Sequence, residues 1–365
     1  MQTRLRGAVG VVAAVSLAVG LGACGTSGES SGNPSGKHLK IGLLLPGYGG
    51  ATRWAQFDKP LVEKKIKDLC GDCTVEYRDA GLSAATQQQQ AEVMIIKGVD
   101  VLILASVNSE SIRSTISKAY EAHIPVVAYD HLAEGPISAY VGFDARRIGE
   151  LQGEALLKAL GDEAQGSQIV MMNGDPINPD AKEFKAGALS VLEGKVKIGK
   201  IYDTPGWSMD AAHNNMVGAI ADLGADRIGG VYAANDWLAS GVISALKAAR
   251  IKPMPPVVGQ DALLSAVQRI VTGDQYMTVY KSYKLQADAA AEMAVALGRG
   301  EGLGHITNDT VRSPTTRDIP AVVLAPVSVT RDNIKDTIVK DGLYTIDQIC
   351  TPEVKPACDD AGLTS

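Results

Sequence analysis

Aromatic residues are scarce in this chain: 5% of 365 positions, with three Trp and three Phe. With so few rings, Trp54, Trp207 and Trp237 each stand out as possible contact residues. Basic charge is not in excess either; the formal net charge is −6, which argues against nucleic acid as a partner. Apart from the first two dozen residues, no apolar run approaches the ~20 residues that a membrane-spanning helix needs. The five histidines, His38, His123, His131, His213 and His305, do not pair with Cys or with one another at ligand spacing, so neither metal nor cofactor is expected. The G-x-S-x-G elbow of serine hydrolases is missing. Gly47-Tyr48-Gly49 hints at a dinucleotide loop, but the third glycine of that pattern falls on Thr52, which excludes it.

What is present begins with an export signal. Arg4 and Arg6 precede a run of Ala, Val, Leu and Gly over residues 7–23. The charged start and short apolar core predict a secretory signal over residues 1–23. It ends in Leu21-Gly22-Ala23-Cys24, the form of a lipobox, which predicts cleavage before Cys24 and lipid on that residue. Cleavage there removes two arginines and no acid, leaving −8. Residues 24–37 are dominated by Gly, Ser, Asn and Pro and read as a flexible tether. The expectation is a soluble domain held near a membrane on its extracytoplasmic face.

Cys24 aside, four cysteines remain: Cys70, Cys73, Cys350 and Cys358. An even number in an exported protein predicts two disulfides. Local pairs, Cys70–Cys73 and Cys350–Cys358, are favoured among three connectivities. Cys70 and Cys73 have the spacing of a redox motif, but they close a helix end where a thioredoxin-type motif would open one.

From residue 39 onward, short apolar runs alternate with amphipathic stretches. Strands are expected at 39–45, 74–77, 99–105, 124–129 and 139–143, and helices at 54–69, 83–97 and 109–122, with Ser83 as a cap. A second series follows, with helices at 148–160, 181–192, 210–223, 237–249 and 263–272 and strands at 168–172, 198–202, 229–233 and 257–259. The run Gln87–Gln90 reads as an exposed helix face. Such alternation predicts an α/β protein with parallel sheets covered on both faces, in two doubly wound lobes. Segments 276–281, 284–297 and 321–329 must be shared between them.

In open α/β sheets, ligands bind beyond the carboxyl ends of the strands. Polar residues punctuate those ends: Ser106 and Asn108, Asp130-His131, Asn173 and Asp175, Asp203, Asn235-Asp236 and Gln260-Asp261. Side chains of this kind suit a sugar, because its hydroxyls both donate and accept while its C–H faces pack on rings. Trp54 and Trp207 are placed for ligand contact; helix packing suits Trp237.

Several segments together give the chain a family likeness. They include Gly98-Val99-Asp100-Val101-Leu102, Ala128-Tyr129-Asp130, Ala234-Asn235-Asp236, Gly259-Gln260-Asp261-Ala262 and Met277-Thr278-Val279-Tyr280-Lys281. On these, residues 39 to about 343 resemble the bacterial periplasmic sugar-binding proteins of the ribose/xylose type. The resemblance implies a type I periplasmic binding protein fold, two Rossmann-like lobes joined by three crossover strands. The lobes would comprise residues 38–145 with about 282–325, and 146–281 with about 326–349, leaving 350–365 as a tail.

The resemblance also implies roles. Arg53, Asp130, Asn235, Asp261 and Lys281 would make polar contacts, and Trp207 would pack on the sugar. Three further positions, His131, Asp180 and Lys185, depart from the xylose-binding pattern, which has Arg, Asn and Arg there. Lys lacks the flat fork of Arg, and an ionised Asp only accepts where Asn also donates. A different pentose, a hexose or a polyol fits as well as xylose. The implied partners are a monosaccharide, a transmembrane permease and its ATPase, with the protein a monomer. Two other readings share these residues: a sugar-presenting module for a membrane receptor, and a secreted hydrolase using Asp130 and Asp261 as its carboxylate pair.

Overall fold

The computed structural model describes residues 38–47 and 53–364. The expected signal, Cys24, the tether and the loop 48–52 lie outside the described residues. No helix among the described residues is long and apolar enough to cross a membrane.

The first half of the chain alternates β1 (Lys40–Leu45), α1 (Lys59–Leu69), β2 (Thr74–Asp79), α2 (Ala84–Ile96), β3 (Val101–Leu104), α3 (Arg113–Glu121), β4 (Val126–Tyr129) and β5 (Ala139–Phe143). The second half runs through α4 (Ala145–Leu160), β6 (Gln168–Met172), α5 (Pro179–Leu192), β7 (Lys197–Tyr202), α6 (Met209–Leu223), β8 (Ile228–Ala233), α7 (Asp236–Ala248), β9 (Val257–Val258), α8 (Leu264–Thr272) and β10 (Thr278–Tyr280). It closes with α9 (Tyr283–Gly298), β11 (Asp309–Val311), β12 (Ile319–Leu324), β13 (Val327–Val329), α10 (Ile346–Ile349) and α11 (Lys355–Asp360).

Two main sheets result. The larger has the order β11-β12-β5-β4-β3-β1-β2, parallel except for the edge strand β11. The smaller, β7-β6-β8-β9, is parallel throughout. Both faces of the larger sheet are buried, as parallel sheets require. In β1, Ile41, Leu43 and Leu45 face Ala290, Ala294 and the other apolar residues of α9. Leu44 faces the opposite way, into a cluster with Met94 of α2 and Ile116 of α3. The smaller sheet has its own core, where Ile169, Met171 and Val231 pack among α4, α5, α6 and α7. These are two lobes of one fold, and the chain passes between their sheets after β5, between β10 and α9, and between β12 and β13.

Some expected elements change at their ends. The helix expected from residue 54 opens with a wide turn, Trp54–Asp58, before α1 proper. The helix expected over 109–122 begins only at Arg113. Ser83 caps α2, its hydroxyl accepting from the Thr86 amide at 3.1 Å. Segment 321–329 divides into β12 and β13, and β13 pairs antiparallel with β10. The glutamine run is not simply exposed. Gln87 is buried, and its side chain donates to the Ala105 carbonyl and accepts from the Val107 amide, both at 2.8 Å, pinning the loop after β3.

Residues 350–364, read as a tail, fold back: Cys358 and Leu363 are buried against Val267 and Ile270 of α8. The sulfurs of Cys350 and Cys358 meet here, with Cα atoms 5.9 Å apart; those of Cys70 and Cys73 meet after α1, at 5.3 Å.

Candidate binding site

Strand order reverses between β1 and β3 in the larger sheet and between β6 and β8 in the smaller. At such switch points the loops leaving adjacent strands part and open a crevice. Loops after β1, β3 and β4 supply one wall here, and loops after β6, β7, β8 and β9 supply the other. Between them lies a cavity of about 140 Å³, roughly ten times the space one ordered water needs.

Nine of the ten expected site residues line it: Arg53, Trp54, Asp130, His131, Asp180, Trp207, Asn235, Asp261 and Lys281. Lys185 does not. Its ammonium lies 3.2 Å from Asp203, outside the cavity. The reason is helical phase: five residues after Asp180 is 140° around α5, whereas Phe184, four residues on, shares the Asp180 face and lines the cavity. Trp237 is also outside the lining.

Arg53 anchors the first wall. Its guanidinium lies over the rings of Trp54 and Tyr283, at 4.2 and 4.5 Å. Its Nε and Nη2 donate to the two oxygens of Asp58, at 3.0 and 2.9 Å, and Nη2 also donates to Gln286. Both terminal nitrogens reach Asp130 at 3.3 Å. Asp130 also accepts from Gln286 at 2.8 Å. Burial alone would raise the Asp130 carboxyl, but the charges of Arg53 and Lys281 outweigh it and hold this group well below the usual carboxylate range. Asp130 is therefore a fixed, ionised acceptor.

His131 follows on the same loop. Its Nδ1 donates to the Ser106 carbonyl at 2.7 Å, which turns Nε2 toward Asp130, 3.4 Å away.

In the second wall, Asn178 caps α5, its Oδ1 accepting from the amides of Asp180 and Ala181. Its amide nitrogen reaches across to His131 Nε2 at 3.5 Å. Asp180, in the first turn of α5, faces His131 from the same side. Burial pushes its carboxyl up to about 6, with Asp130 adding to the rise and His131, Lys281 and Arg53 opposing it.

Asp175 accepts from the Gly206 amide at 2.8 Å and so holds the loop carrying Trp207. Asn235 Oδ1 accepts from the Leu238 amide, leaving its Nδ2 hydrogens for the cavity. Gln260 has a buried Oε1 without a hydrogen-bond partner among the described residues. Lys281 donates to Asp261 at 2.8 Å.

Four non-glycine lining residues, Leu82, Asp130, Trp207 and Asp261, hold left-handed backbone, with φ of 60°, 62°, 52° and 96°. Such strain, of about 1–3 kcal/mol each, gathers at ligand clamps. Asp175, Asn178 and Gln260 were not among the expected ligand residues. Asp175 and Gln260 bore the strand-end signal, and Asn178-Pro179 is a helix start.

The geometry does not suit hydrolysis. A general acid must hold a proton, yet Asp130 is ion-paired with Arg53 and Asp261 with Lys281. Acceptors, donors and two tryptophans around one cavity instead define a protein that captures a small polyhydroxylated solute between two lobes.

Residues 41–302 match the periplasmic binding protein domain, and the chain belongs to that family. It is 35% identical over 314 residues to the D-xylose-binding periplasmic protein of Escherichia coli (strain K12), covering 84% of this chain and 92% of that one. It is 25% identical over 340 residues to a xylitol-binding protein of Mycolicibacterium smegmatis, covering 90% and 91%. Among solved structures it is similar to an ABC transporter solute-binding protein of Clostridium phytofermentans with bound β-D-glucose. The TM-score is 0.78 and the identity 30%, over 85% of this chain and 99% of the other. The chain is accordingly a binding protein and not an enzyme.

Proposed function

We propose that this protein captures one monosaccharide, xylose or a related pentose or hexose, outside the cytoplasm and delivers it to an ABC importer. The observation that carries this reading is the cavity itself. Acceptors (Asp130, Asp180, Asp261), donors (Arg53, Lys281, Asn235) and the rings of Trp54 and Trp207 converge on a space of small-molecule size. Hydroxyls would satisfy the donors and acceptors, and C–H faces would pack on the rings.

In this reading the lobes, residues 38–145 with about 282–325 and 146–281 with about 326–349, close when the sugar bridges them, and the permease with its ATPase reads the closed form. Residues 1–23 direct export, lipid on Cys24 tethers a monomer to the membrane surface, and disulfides join Cys70 to Cys73 and Cys350 to Cys358.

The test is thermal unfolding of the full-length protein, purified in detergent, against a panel of pentoses, hexoses and polyols. A sugar at 100 times its dissociation constant adds ~2.7 kcal/mol of stability, a shift of about 2–4 °C or more at this chain length. A clear shift with one or a few related sugars is expected. No shift with any of them, with amino acids or peptides active instead, would refute the sugar reading.

A further inference from the structure

Most charged groups lining the cavity are already partnered. Arg53 is engaged by Asp58 and Asp130, and Lys281 by Asp261. Asp175 accepts from two backbone amides, those of Ile177 and Gly206. Asp180 is the exception. Its carboxylate has no hydrogen-bond donor among the described residues, although it lies on the cavity wall. Its own backbone amide is taken by the Asn178 cap at 2.9 Å, so the side chain is free to face inward.

Position strengthens the point. Asp180 belongs to the second wall and faces Asp130 and His131 of the first. One ligand atom from each of the three lies within 4.8 Å of the others. The charged groups acting on Asp180 are Asp130 and His131 after β4, Lys281 after β10 and Arg53 ahead of α1. Asp130 is committed to Arg53 and Gln286. His131 Nδ1 is committed to the Ser106 carbonyl. A carboxylate so placed needs a donor that no described residue supplies, and an entering solute can.

We propose that Asp180 is a specificity-determining residue of the cavity: in its ionised form it accepts a hydroxyl hydrogen of the captured solute, which makes capture proton-linked. This rests on the sugar-capture reading above. A donor on the solute stabilises the ionised carboxylate and lowers its pKa on binding. Protonating Asp180 replaces that charged acceptor with a weaker neutral one, so affinity falls as the medium becomes more acidic. The ligand-free carboxyl titrates at about 6. The loss therefore begins near that pH and reaches about tenfold one unit below it.

The experiment is calorimetric titration of the full-length protein in detergent with a panel of pentoses, hexoses and polyols, from pH 5 to pH 8. The wild type should lose about five- to tenfold in affinity for its best sugar between pH 7.5 and pH 5. The Asp180→Asn protein should bind the same sugar more weakly at pH 7.5, with a flat profile across the range. Sugar binding with the wild-type pH profile retained in Asp180→Asn overturns the inference and leaves the sugar reading standing. A slope that survives in Asp180→Asn but vanishes in His131→Gln assigns the proton to His131 and also overturns it. Failure of the wild type to bind any member of the panel at any pH overturns both.

Discussion

Gly174 sits where Trp207 leaves no room for a side chain. A Cβ on Gly174 would lie 2.2 Å from the far edge of that indole. The ring cannot yield easily, because its loop is held by the Asp175–Gly206 bond and by left-handed backbone at both Gly206 and Trp207. Gly174→Ala should therefore push Trp207 out of position. An aromatic contact is worth about 0.5–1.5 kcal/mol, so sugar affinity should fall about two- to tenfold in calorimetry. Overpacking of about 1–3 kcal/mol should also lower the unfolding midpoint by a few degrees. Unaltered affinity would mean that the indole does not touch the sugar.

At this scale the sequence is informative where chemistry and position coincide. Asp130 and Asp261 stand at strand ends and Arg53 at a helix start, all with groups that grip hydroxyls, and the structure brings them together. Lys185 has suitable chemistry and the wrong helical phase; the helix expected from residue 181 leaves Asp180 outside it, whereas α5 begins at Pro179 and fixes the phase of both. Gln87 shows the reverse: a polar residue in a polar run, buried because its amide bridges both sides of one loop.

Among elements, the apolar strands were the most legible. β1, β3, β4, β6 and β8 are nearly unbroken Val, Ile, Leu and Met runs with Gly and Ala, because each is covered on both faces. The edge strand β11 is Asp-Thr-Val and mostly exposed, so it offers no such pattern.

The turn after β9 is the element whose support is least visible in the sequence. Asp236, fully buried at the start of α7, accepts from Gln275 at 2.7 Å, from Thr278 at 2.8 Å and from the Leu263 amide at 3.0 Å. It thus ties the start of α7 to the turn just after Asp261 and to the segment that enters β10. Burial pushes its carboxyl up to about 7, against the pull of Arg269. In the unfolded chain the same group titrates near 3.9. Between those values the folded protein binds the proton more tightly, so this group's contribution to stability falls as pH rises from about 4 to about 7. Urea unfolding of the ligand-free protein at pH 5 and 7.5, compared with Asp236→Asn, isolates the effect. The wild type should lose more stability than the variant over that interval. Equal losses would show that Asp236 is ionised throughout and that its three donors outweigh burial.

For the whole molecule, the arrangement of the lobes raises a question of access. His131 of one wall stands 3.5 Å from Asn178 of the other, and both line the cavity. If capture follows the closure proposed above, the walls part to admit the solute, and the chain offers three places to bend: after β5, between β10 and α9, and between β12 and β13. Lys281 sits at the second of these and is tied to Asp261, so the hinge and the site share a side chain. A solute that touches both walls adds contacts to the closed form that the open form lacks, and only such a difference can shift the population. Residues 37–365 form one compact unit, for which closure corresponds to a radius of gyration of about 20 Å. Small-angle scattering of that segment should give a larger radius without sugar, contracting toward this value when the best sugar of the panel is added. His131→Ala, which removes the contact across the cleft mouth, should shift the ligand-free protein further toward the larger radius. A radius that is already minimal without sugar, and unmoved by its addition, would mean that the lobes do not act as a hinged trap and that the solute enters by local movement of the loops alone.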